Sequence, residues 1–230
     1  MKTAVITGAT SGIGLETTKE LLALGYKVYG LGRDFSKVTI ENEKLIKVTV
    51  DLMDSDKVVN IIKDIDKNNE VNVLINNAGI AHFGLHEELN PKKIQEIIRI
   101  NLETPLILCQ LLMRNLKRNH GYIINMSSIT AKISSTHGCA YGASKAGLTH
   151  FTESLFDECR KYGVKVIAIH PDLTATDFYR NAAFETGEAL NQHLTAMEVA
   201  QCVKTVLTQR DGMVITDITV RPQINKIKRK

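Results

Sequence analysis

The chain alternates short runs rich in β-branched residues with longer amphipathic runs, and this alternation constrains the fold more than any other feature. Seven of the short runs have the composition of buried strands: KTAVIT, KVYGL, LIKVTV, VNVLI, YIINM, VKVIAI and MVITDITV. Helical patterns are expected between the first six. A parallel crossover needs a long connection, so this order predicts one doubly wound parallel α/β sheet of about seven strands with helices on both faces. Such a sheet binds ligands at the carboxyl ends of its strands.

Composition argues against several other classes of protein. With 230 residues, 43% of them hydrophobic, the chain can bury a full core, and no linker divides it. We therefore expect one domain over residues 1–222 and a solvated basic tail over residues 223–230, which contains NKIKRK. A net charge of +4 is mild for this length and well short of the clustered basic surface expected of a nucleic-acid binder.

Cysteine spacing and hydropathy bear on where the protein works. The four cysteines lie far apart, without the close pairs of a zinc site or the density of a disulfide scaffold. The first strand-like run begins at Lys2, which leaves no room for a signal peptide, and no apolar run could span a bilayer. We expect a cytoplasmic protein with no membrane contact.

A glycine-rich segment, TGATSGIG, follows the first strand. It places Gly8, Gly12 and Gly14 at the start of a helix. Glycines allow a tight turn and close approach to a pyrophosphate, which the unpaired N–H groups of a helix N-terminus attract. The spacing G-x-x-x-G-x-G differs from the standard dinucleotide fingerprint G-x-G-x-x-G, although the glycines would serve the same purpose. A glycine-rich turn that binds no ligand therefore remains an alternative.

Further fragments follow in a fixed order: Asp51 with Leu52, NNAG from Asn76 to Gly79, Asn101, NMSS from Asn125 to Ser128, and Tyr141 with Lys145. Together with the glycine turn, they make the chain up to Pro222 resemble the short-chain dehydrogenase/reductase family. Ser128 precedes Tyr141 by thirteen positions and follows Asn101 by twenty-seven, as the family's catalytic set requires.

The resemblance implies a Rossmann-like oxidoreductase without a metal, with Asn101, Ser128, Tyr141 and Lys145 as catalytic residues. It also implies a set of cofactor-binding residues: Gly8, Ser11, Gly12, Ile13, Gly14, Arg33, Asp51, Leu52, Asn77, Ala78, Gly79, Tyr141, Lys145, Pro171, Thr174 and Thr176. In the segment HPDLTATDF, Asp172 replaces the family's usual glycine, which places the local geometry in question if a positive φ is required there.

The chemistry of the Tyr141 and Lys145 pair follows from their spacing. A free tyrosine has a pKa of about 10, and a lysine one helical turn away should lower it by favouring the phenolate. Tyr141 would then protonate a carbonyl oxygen or deprotonate an alcohol, with Ser128 holding the substrate oxygen. In the family, the matching lysine also holds the nicotinamide ribose.

Other polar residues near this pair have simpler interpretations. A nucleophilic role for Ser128 is disfavoured because no histidine belongs to a recognisable triad. Ser127 is expected to bond the backbone, and His137 and Cys139 to line a loop.

The segment VYGLGRD at the end of the second strand bears on the choice of cofactor. Gly32 stands where NAD-preferring relatives carry an acid, and Arg33 can clamp a 2′-phosphate. We therefore expect NADP(H), with NAD(H) possible, since Asp34 is adjacent and Ser11 is not basic.

Asn90 and Pro91 are expected to cap a long helix that runs through Arg118. Pro105 cannot donate to the Asn101 carbonyl, so a kink or bulge is predicted there, with the freed carbonyl bound to a water near Lys145. In relatives, this water links the lysine to solvent.

Two features lie beyond the sixth strand. TAME from Thr195 to Glu198 predicts a capping box that starts a helix. Phe178, Tyr179 and Phe184 could form an apolar wall over the substrate or pack as core.

These observations favour an NADPH-dependent enzyme acting on a small-molecule carbonyl or alcohol, with a non-catalytic dinucleotide-sensing regulator as the alternative. Nucleic-acid binding through the basic tail is a third and weaker hypothesis. Two segments, LETPLILCQLLM and GLTHFTESLF, carry apolar residues on more than one helical face, and relatives use these helices to assemble. We expect a homodimer or homotetramer.

Overall fold

The computed structural model describes residues 1–230. The strands are β1 (Thr3–Thr7), β2 (Lys27–Gly32), β3 (Leu45–Thr49), β4 (Val71–Asn76), β5 (Tyr122–Met126), β6 (Lys165–Pro171), β7 (Thr174–Ala175), β8 (Phe184–Thr186), β9 (Leu194–Thr195), β10 (Asp217–Val220) and β11 (Ile227–Arg229). Seven of them form one parallel sheet in the order β10-β6-β5-β4-β1-β2-β3, and β7–β9 and β8–β11 form two small pairs.

The α-helices are α1 (Gly12–Ala23), α2 (Ser55–Asn68), α3 (Pro91–Ile98), α4 (Thr104–Arg118), α5 (Cys139–Cys159) and α6 (Ala196–Leu207). One core cluster packs α2, α4 and α5 on one face of the sheet, and a second packs α1 and α6 on the other. Neighbouring residues of β1 show the division, because Val5 belongs to the first cluster and Ile6 to the second. The predicted seven-stranded sheet with helices on both faces is confirmed. None of the helices has the length and apolar character needed to cross a membrane.

Two local expectations are wrong. Residues 33–44, between β2 and β3, form no helix, and this segment makes the parallel crossover as turns and extended chain. The run MVITDITV forms a strand only from Asp217, because only the last four residues pair with β6.

The basic C-terminal segment differs partly from the expectation. Its side chains are exposed from Gln223 to Lys230, as expected for a solvated tail, but residues 227–229 pair with β8 in an antiparallel ladder. The backbone of this segment is therefore held against the loop that follows β7.

The long helix between β4 and β5 is interrupted as predicted. Asn90 caps α3 by accepting a hydrogen bond from the Lys92 N–H, and Pro91 occupies the first turn. Residues 99–103 then form a π-helical turn, in which the Thr104 N–H donates to the Arg99 carbonyl five residues earlier. The cause is Pro105, which has no N–H for the Asn101 carbonyl, so the chain inserts one residue into the turn. The capping box of Thr195 and Glu198 at α6 is confirmed as well.

Asn115 joins three elements on the face covered by α4. It is almost fully buried, and its Oδ1 accepts from the Val71 N–H at 3.0 Å. Its Nδ2 donates to the carbonyls of Asp66 and Asn69, at 3.1 and 2.8 Å. One side chain thereby ties α4 to the end of α2 and the start of β4.

We expect Asn115→Leu to lower the free energy of unfolding by about 3 kcal/mol, because it leaves a buried N–H and two carbonyls without their partner. Asn68→Ala is the matched control, since Asn68 is exposed and bonds only within its own helix. Urea denaturation of both variants measures the difference. Equal and small losses would show that Asn115 does not join these elements energetically.

Candidate active site

A cleft of about 550 Å³ opens at the carboxyl edge of the parallel sheet. Every residue predicted to bind a cofactor lines it, as does Ser128. The cleft is formed by the loops after β1, β2, β3, β4, β5 and β6, which come together because the strands are parallel.

The glycine turn gives the cleft a bare backbone floor. Gly8 and Gly12 have φ values of +69° and +52°, a region in which glycine carries no steric penalty. A Cβ at Gly14 would overlap the Gly8 carbonyl oxygen, so close helix packing requires glycine there. Ser11 at the start of α1 makes no side-chain cap, which leaves the first N–H groups of the helix free toward the cleft. This arrangement fits a phosphate group.

Asn77 braces the glycine turn. Its Nδ2 donates to the carbonyls of Thr7 and Gly8 at 3.0 and 3.3 Å, and the Thr7 hydroxyl accepts from the backbone N–H groups of Asn77 and Ala78. The NNAG segment therefore fixes the floor of the cleft from the β4 side.

The end of β2 carries glycine in place of an acid. A Cβ at Gly32 would meet the Thr10 methyl group, so a side chain at that position requires Thr10 to change its rotamer. Arg33 lines the cleft and has no hydrogen-bond or ion-pair partner in the protein. The Asp34 carboxylate instead accepts from the Ser36 N–H and hydroxyl, at 2.8 and 3.0 Å. The cation at this end of the cleft is free, whereas the neighbouring acid is engaged in its own loop.

Tyr141 and Lys145 lie in the first turns of α5 and are both buried. The Lys145 Nζ lies 5.8 Å from the centre of the Tyr141 ring and donates to the Met126 carbonyl at 2.7 Å. Ser128 faces Tyr141 from the end of β5, and its Oγ accepts from the Thr130 N–H and hydroxyl at 3.2 and 3.0 Å. Since both of these bonds are accepted, the Ser128 proton remains available to an oxygen in the cleft.

The expected lowering of the Tyr141 pKa is wrong for the protein alone. Burial raises the pKa of Tyr141 to about 12, and the facing Ser128 hydroxyl opposes this shift only in part. Burial also lowers the pKa of Lys145 to about 8. Desolvation disfavours the charged form of each group, and at the observed separation it outweighs their mutual attraction.

Asn101 lies behind the cleft and is fully buried. Its amide bonds both backbone groups of Ile80, with Oδ1 accepting and Nδ2 donating at 2.9 Å, and Nδ2 also donates to the Ser144 hydroxyl at 3.1 Å. The side chain thus joins the loop after β4 to α5. Of the four residues predicted as catalytic, Asn101 alone does not line the cleft.

Asp172 fits its position without backbone strain. Its φ is not positive, since His120 is the one non-glycine residue with a positive φ. The Asp172 carboxylate accepts from the Leu173 N–H at 2.9 Å and from the Arg221 Nε at 2.8 Å. The doubt about local geometry is thereby removed, and Thr174 and Thr176 reach the cleft.

His170 lies next to the backbone of Ser128, a contact that no sequence motif indicated. This fully buried side chain places its Nδ1 3.2 Å from the Ser128 carbonyl and its Nε2 2.8 Å from the Asp217 carboxylate. Desolvation lowers the pKa of His170. The sequence could have indicated this contact only through the position of His170, at the end of the sixth strand, where a side chain is expected to be buried.

Phe178 and Tyr179 line the cleft beside Tyr141. The Phe178 ring lies 5.6 Å from the Tyr141 ring, and Phe184 lies behind it, 5.4 Å from Tyr179. Phe178 and Tyr179 therefore form part of the cleft wall, and Phe184 packs behind them. Phe83, which the sequence did not single out, contacts Tyr141, Tyr179 and Phe184.

The remaining candidates behave as expected. Ser127 donates to the Lys145 carbonyl at 3.1 Å, and His137 and Cys139 are exposed near the start of α5. A further ionisable pair in the cleft was missed: the Nε2 of His82 lies 3.2 Å from the Oε2 of Glu96.

Comparison with known proteins agrees with this geometry. Residues 2–186 match the sequence model of the short chain dehydrogenase family. The chain is 31% identical over 186 residues to the 3-oxoacyl-[acyl-carrier-protein] reductase FabG of Buchnera aphidicola, covering 78% of this chain and 76% of that protein.

Two solved structures with the same fold were determined with different cofactors. An alcohol dehydrogenase of Thermococcus sibiricus complexed with 5-hydroxy-NADP has a TM-score of 0.87 and 22% identity, over 96% of this chain and 97% of that one. A 4-hydroxyisoleucine dehydrogenase complexed with NADH has a TM-score of 0.85 and 22% identity, over 96% of this chain and 98% of that one.

We expect the Lys145 ammonium to titrate near pH 8 in the protein without added cofactor. Its buried position favours the neutral amine, so the charged form is complete only below this pH. NMR of side-chain-labelled lysine would measure the titration, and the Lys145→Arg variant would assign the resonance by its disappearance. A lysine resonance of this residue that stays unchanged from pH 7 to 9.5 would contradict the prediction.

Proposed function

The chain belongs to the short-chain dehydrogenase/reductase family of NAD(P)-dependent oxidoreductases, and from this premise we propose that it is an NADPH-dependent carbonyl reductase or alcohol dehydrogenase. One observation carries the proposal. A single cleft has the Tyr141, Ser128 and Lys145 side chains at one end and the unpaired Arg33 guanidinium at the other. All the residues to which the proposal gives a catalytic or cofactor-binding role lie within residues 1–222, the span expected for the domain.

The residues at the reactive end have separate roles. The Ser128 hydroxyl donates to the substrate oxygen and holds it beside the Tyr141 phenol. With a pKa of about 12, the Tyr141 phenol carries its proton at neutral pH and can give it to the oxygen of a carbonyl as that oxygen becomes an alcohol. The bound nicotinamide supplies or accepts the hydride.

The other residues of the cleft hold the cofactor. The free N–H groups at the start of α1 bind the pyrophosphate, and Lys145 binds the ribose next to the nicotinamide. Arg33 pairs with a 2′-phosphate, which favours NADP(H), while NAD(H) would lack this ion pair. Position 32 carries no acid to oppose a 2′-phosphate, and the Thr10 methyl group occupies the space that a side chain there would take.

Proton return to Tyr141 passes through Lys145 in this proposal. The Lys145 Nζ and the Asn101 amide both border Gly79, since a Cβ at Gly79 would lie 3.5 Å from each of them. A water held by the Asn101 carbonyl at the π-helical turn would connect Lys145 to solvent, as the sequence predicts.

Assembly through α4 and α5 completes the proposal. Leu106 of α4 is 36% exposed, and Ile107 and Leu111 are half-buried on the same helix. Phe151 of α5 is also half-buried. A two-fold axis between copies would cover these side chains.

We expect sedimentation at micromolar concentration to give the mass of a dimer or tetramer. Leu106→Glu should lower that mass, because it places a charge in the apolar contact, whereas Glu153→Ala on an exposed part of α5 should not. A wild-type mass of one chain would contradict the proposed assembly.

We expect Tyr141→Phe to lower kcat for carbonyl reduction by about 100-fold or more, because the ring stays while the proton donor is lost. NADPH binding, measured by fluorescence titration, should change little. Loss of NADH or NADPH absorbance with a panel of carbonyl compounds measures turnover, and near-normal turnover by the variant would refute the mechanism.

We expect Arg33→Ala to weaken NADPH binding by about tenfold or more and to leave NADH binding nearly unchanged, because only the 2′-phosphate loses a charge-assisted pair. Lys37→Ala is the matched control, since Lys37 is an exposed cation on the same loop outside the cleft. Equal losses for both cofactors would show that Arg33 does not bind the 2′-phosphate.

A further inference from the structure

The cleft wall beside Tyr141 is built in layers. Phe178 and Tyr179 face the cleft, and Phe83 and Phe184 lie behind them with ring centres 5.2 Å apart. We call these four rings the aromatic cap. Tyr141 contacts the cap directly, because its ring lies 6.2 Å from Phe83 and 5.6 Å from Phe178.

Residues 226–230, here called the strap, hold the outer layer of the cap. They pair with residues 183–187 in an antiparallel ladder that includes Phe184. The Gly187 N–H donates to the Lys226 carbonyl and the Lys230 N–H to the Ala183 carbonyl, both at 3.0 Å. The backbone of the strap thus fixes the backbone that carries Phe184.

Side chains of the strap reach the inner layer as well. The Lys230 Nζ donates to the carbonyls of Tyr179 and Arg180, at 3.0 and 3.1 Å. The Lys228 Nζ lies 2.8 Å from the Glu188 carboxylate and 3.7 Å from that of Glu185. Exposed ion pairs of this kind contribute little, so the backbone ladder is the main attachment.

From these contacts we infer that the strap is a positioning segment for the aromatic cap, and that the cap selects carbonyl substrates whose neighbouring group is apolar and planar. The inference rests on the proposed function and adds a substrate class to it. Phe178 and Tyr179, which line the cleft, offer stacking and apolar contact to such a group, and Phe83 and Phe184 support these two rings from behind. The cap rings offer no charged group to a substrate that carries one beside its carbonyl.

The alternation of an antiparallel ladder provides a matched pair of variants. In such a ladder, the backbone groups of every second residue bond the neighbouring strand. The backbones of Lys226, Lys228 and Lys230 therefore bond residues 183–187, whereas the Arg229 N–H points away from them. Lys228→Pro removes a ladder hydrogen bond. Arg229→Pro removes none, and the Arg229 side chain has no polar partner. Each variant loses one positive charge.

The kinetic test uses acetophenone and pyruvate as probes, with NADPH as the reductant. We expect the wild-type protein to reduce acetophenone with the higher kcat/KM. Lys228→Pro should raise KM for acetophenone by about tenfold, because the cap loses its fixed position, and should leave the Kd for NADPH unchanged. Arg229→Pro should behave like the wild type.

Each outcome decides one part of the inference. A higher kcat/KM for pyruvate than for acetophenone would refute the proposed preference for apolar substrates and leave the proposed reductase activity intact. Equal effects of Lys228→Pro and Arg229→Pro on KM would refute the positioning role of the strap. Reduction of neither probe, nor of any compound in a wider carbonyl panel, would refute the proposed function itself.

Hydrogen exchange tests the strap independently of activity. We expect the amides of residues 183–187 to exchange faster in Lys228→Pro than in Arg229→Pro, while the amides of β1 and β4 exchange alike in both. Unchanged exchange at residues 183–187 would overturn the strap even if the variant lost activity. Faster exchange in β1 and β4 would show general unfolding of the variant. In that case, Lys230→Ala, which loses the side-chain bonds to Tyr179 and Arg180, would be compared with Lys226→Ala as its control, by the same kinetic and exchange measurements.

Discussion

The parallel alignment of the seven strands is the constraint on which the site depends. Residues that follow β1, β2, β4, β5 and β6 lie far apart in sequence, and only a common strand direction brings them to one edge. The core secures this alignment from both sides, because neighbouring residues of the strands β1, β5 and β6 belong to opposite clusters. Nearly continuous apolar runs in the sequence reflect this double burial.

Burial sets the ionisation of the reactive pair. Tyr141 and Lys145 are desolvated together, which holds the phenol neutral and makes the ammonium less stable. A hydrogen bond to the Met126 carbonyl keeps the Lys145 side chain in place despite this cost. A protonated phenol is the state that donates to a carbonyl oxygen during reduction.

Polar side chains of the family motifs bond the backbone around the cleft. Asn77, at the edge of the cleft, supports the glycine turn, and the fully buried Asn101 ties the loop after β4 to α5. Asn101 lies within the π-helical turn at residues 99–103. Positioning of the reactive groups therefore depends in part on amide side chains that bond the backbone.

The sequence alone predicted the parallel sheet, the glycine turn and the helix interruption, and the family resemblance added many of the residues that line the cleft. Periodicity, glycine positions and Pro105 act locally, or through a parallel direction that strand order already implies. What it could not determine depends on distances between segments that are remote in sequence. The Thr10 methyl group, for example, lies against Gly32 from the glycine turn, and the Asn101 amide bonds the backbone of Ile80 across 21 residues.

The tertiary structure alone decided the direction of the Tyr141 pKa shift and the placement of Phe83, His170 and the strap. Desolvation depends on how completely other segments cover a group, and spacing along a helix carries no information about that. The basic C-terminal residues have the composition of a solvated tail, but the ladder with β8 forms because the loop after β7 presents an open strand edge to them. Pairing between such segments is settled by the geometry of the folded chain.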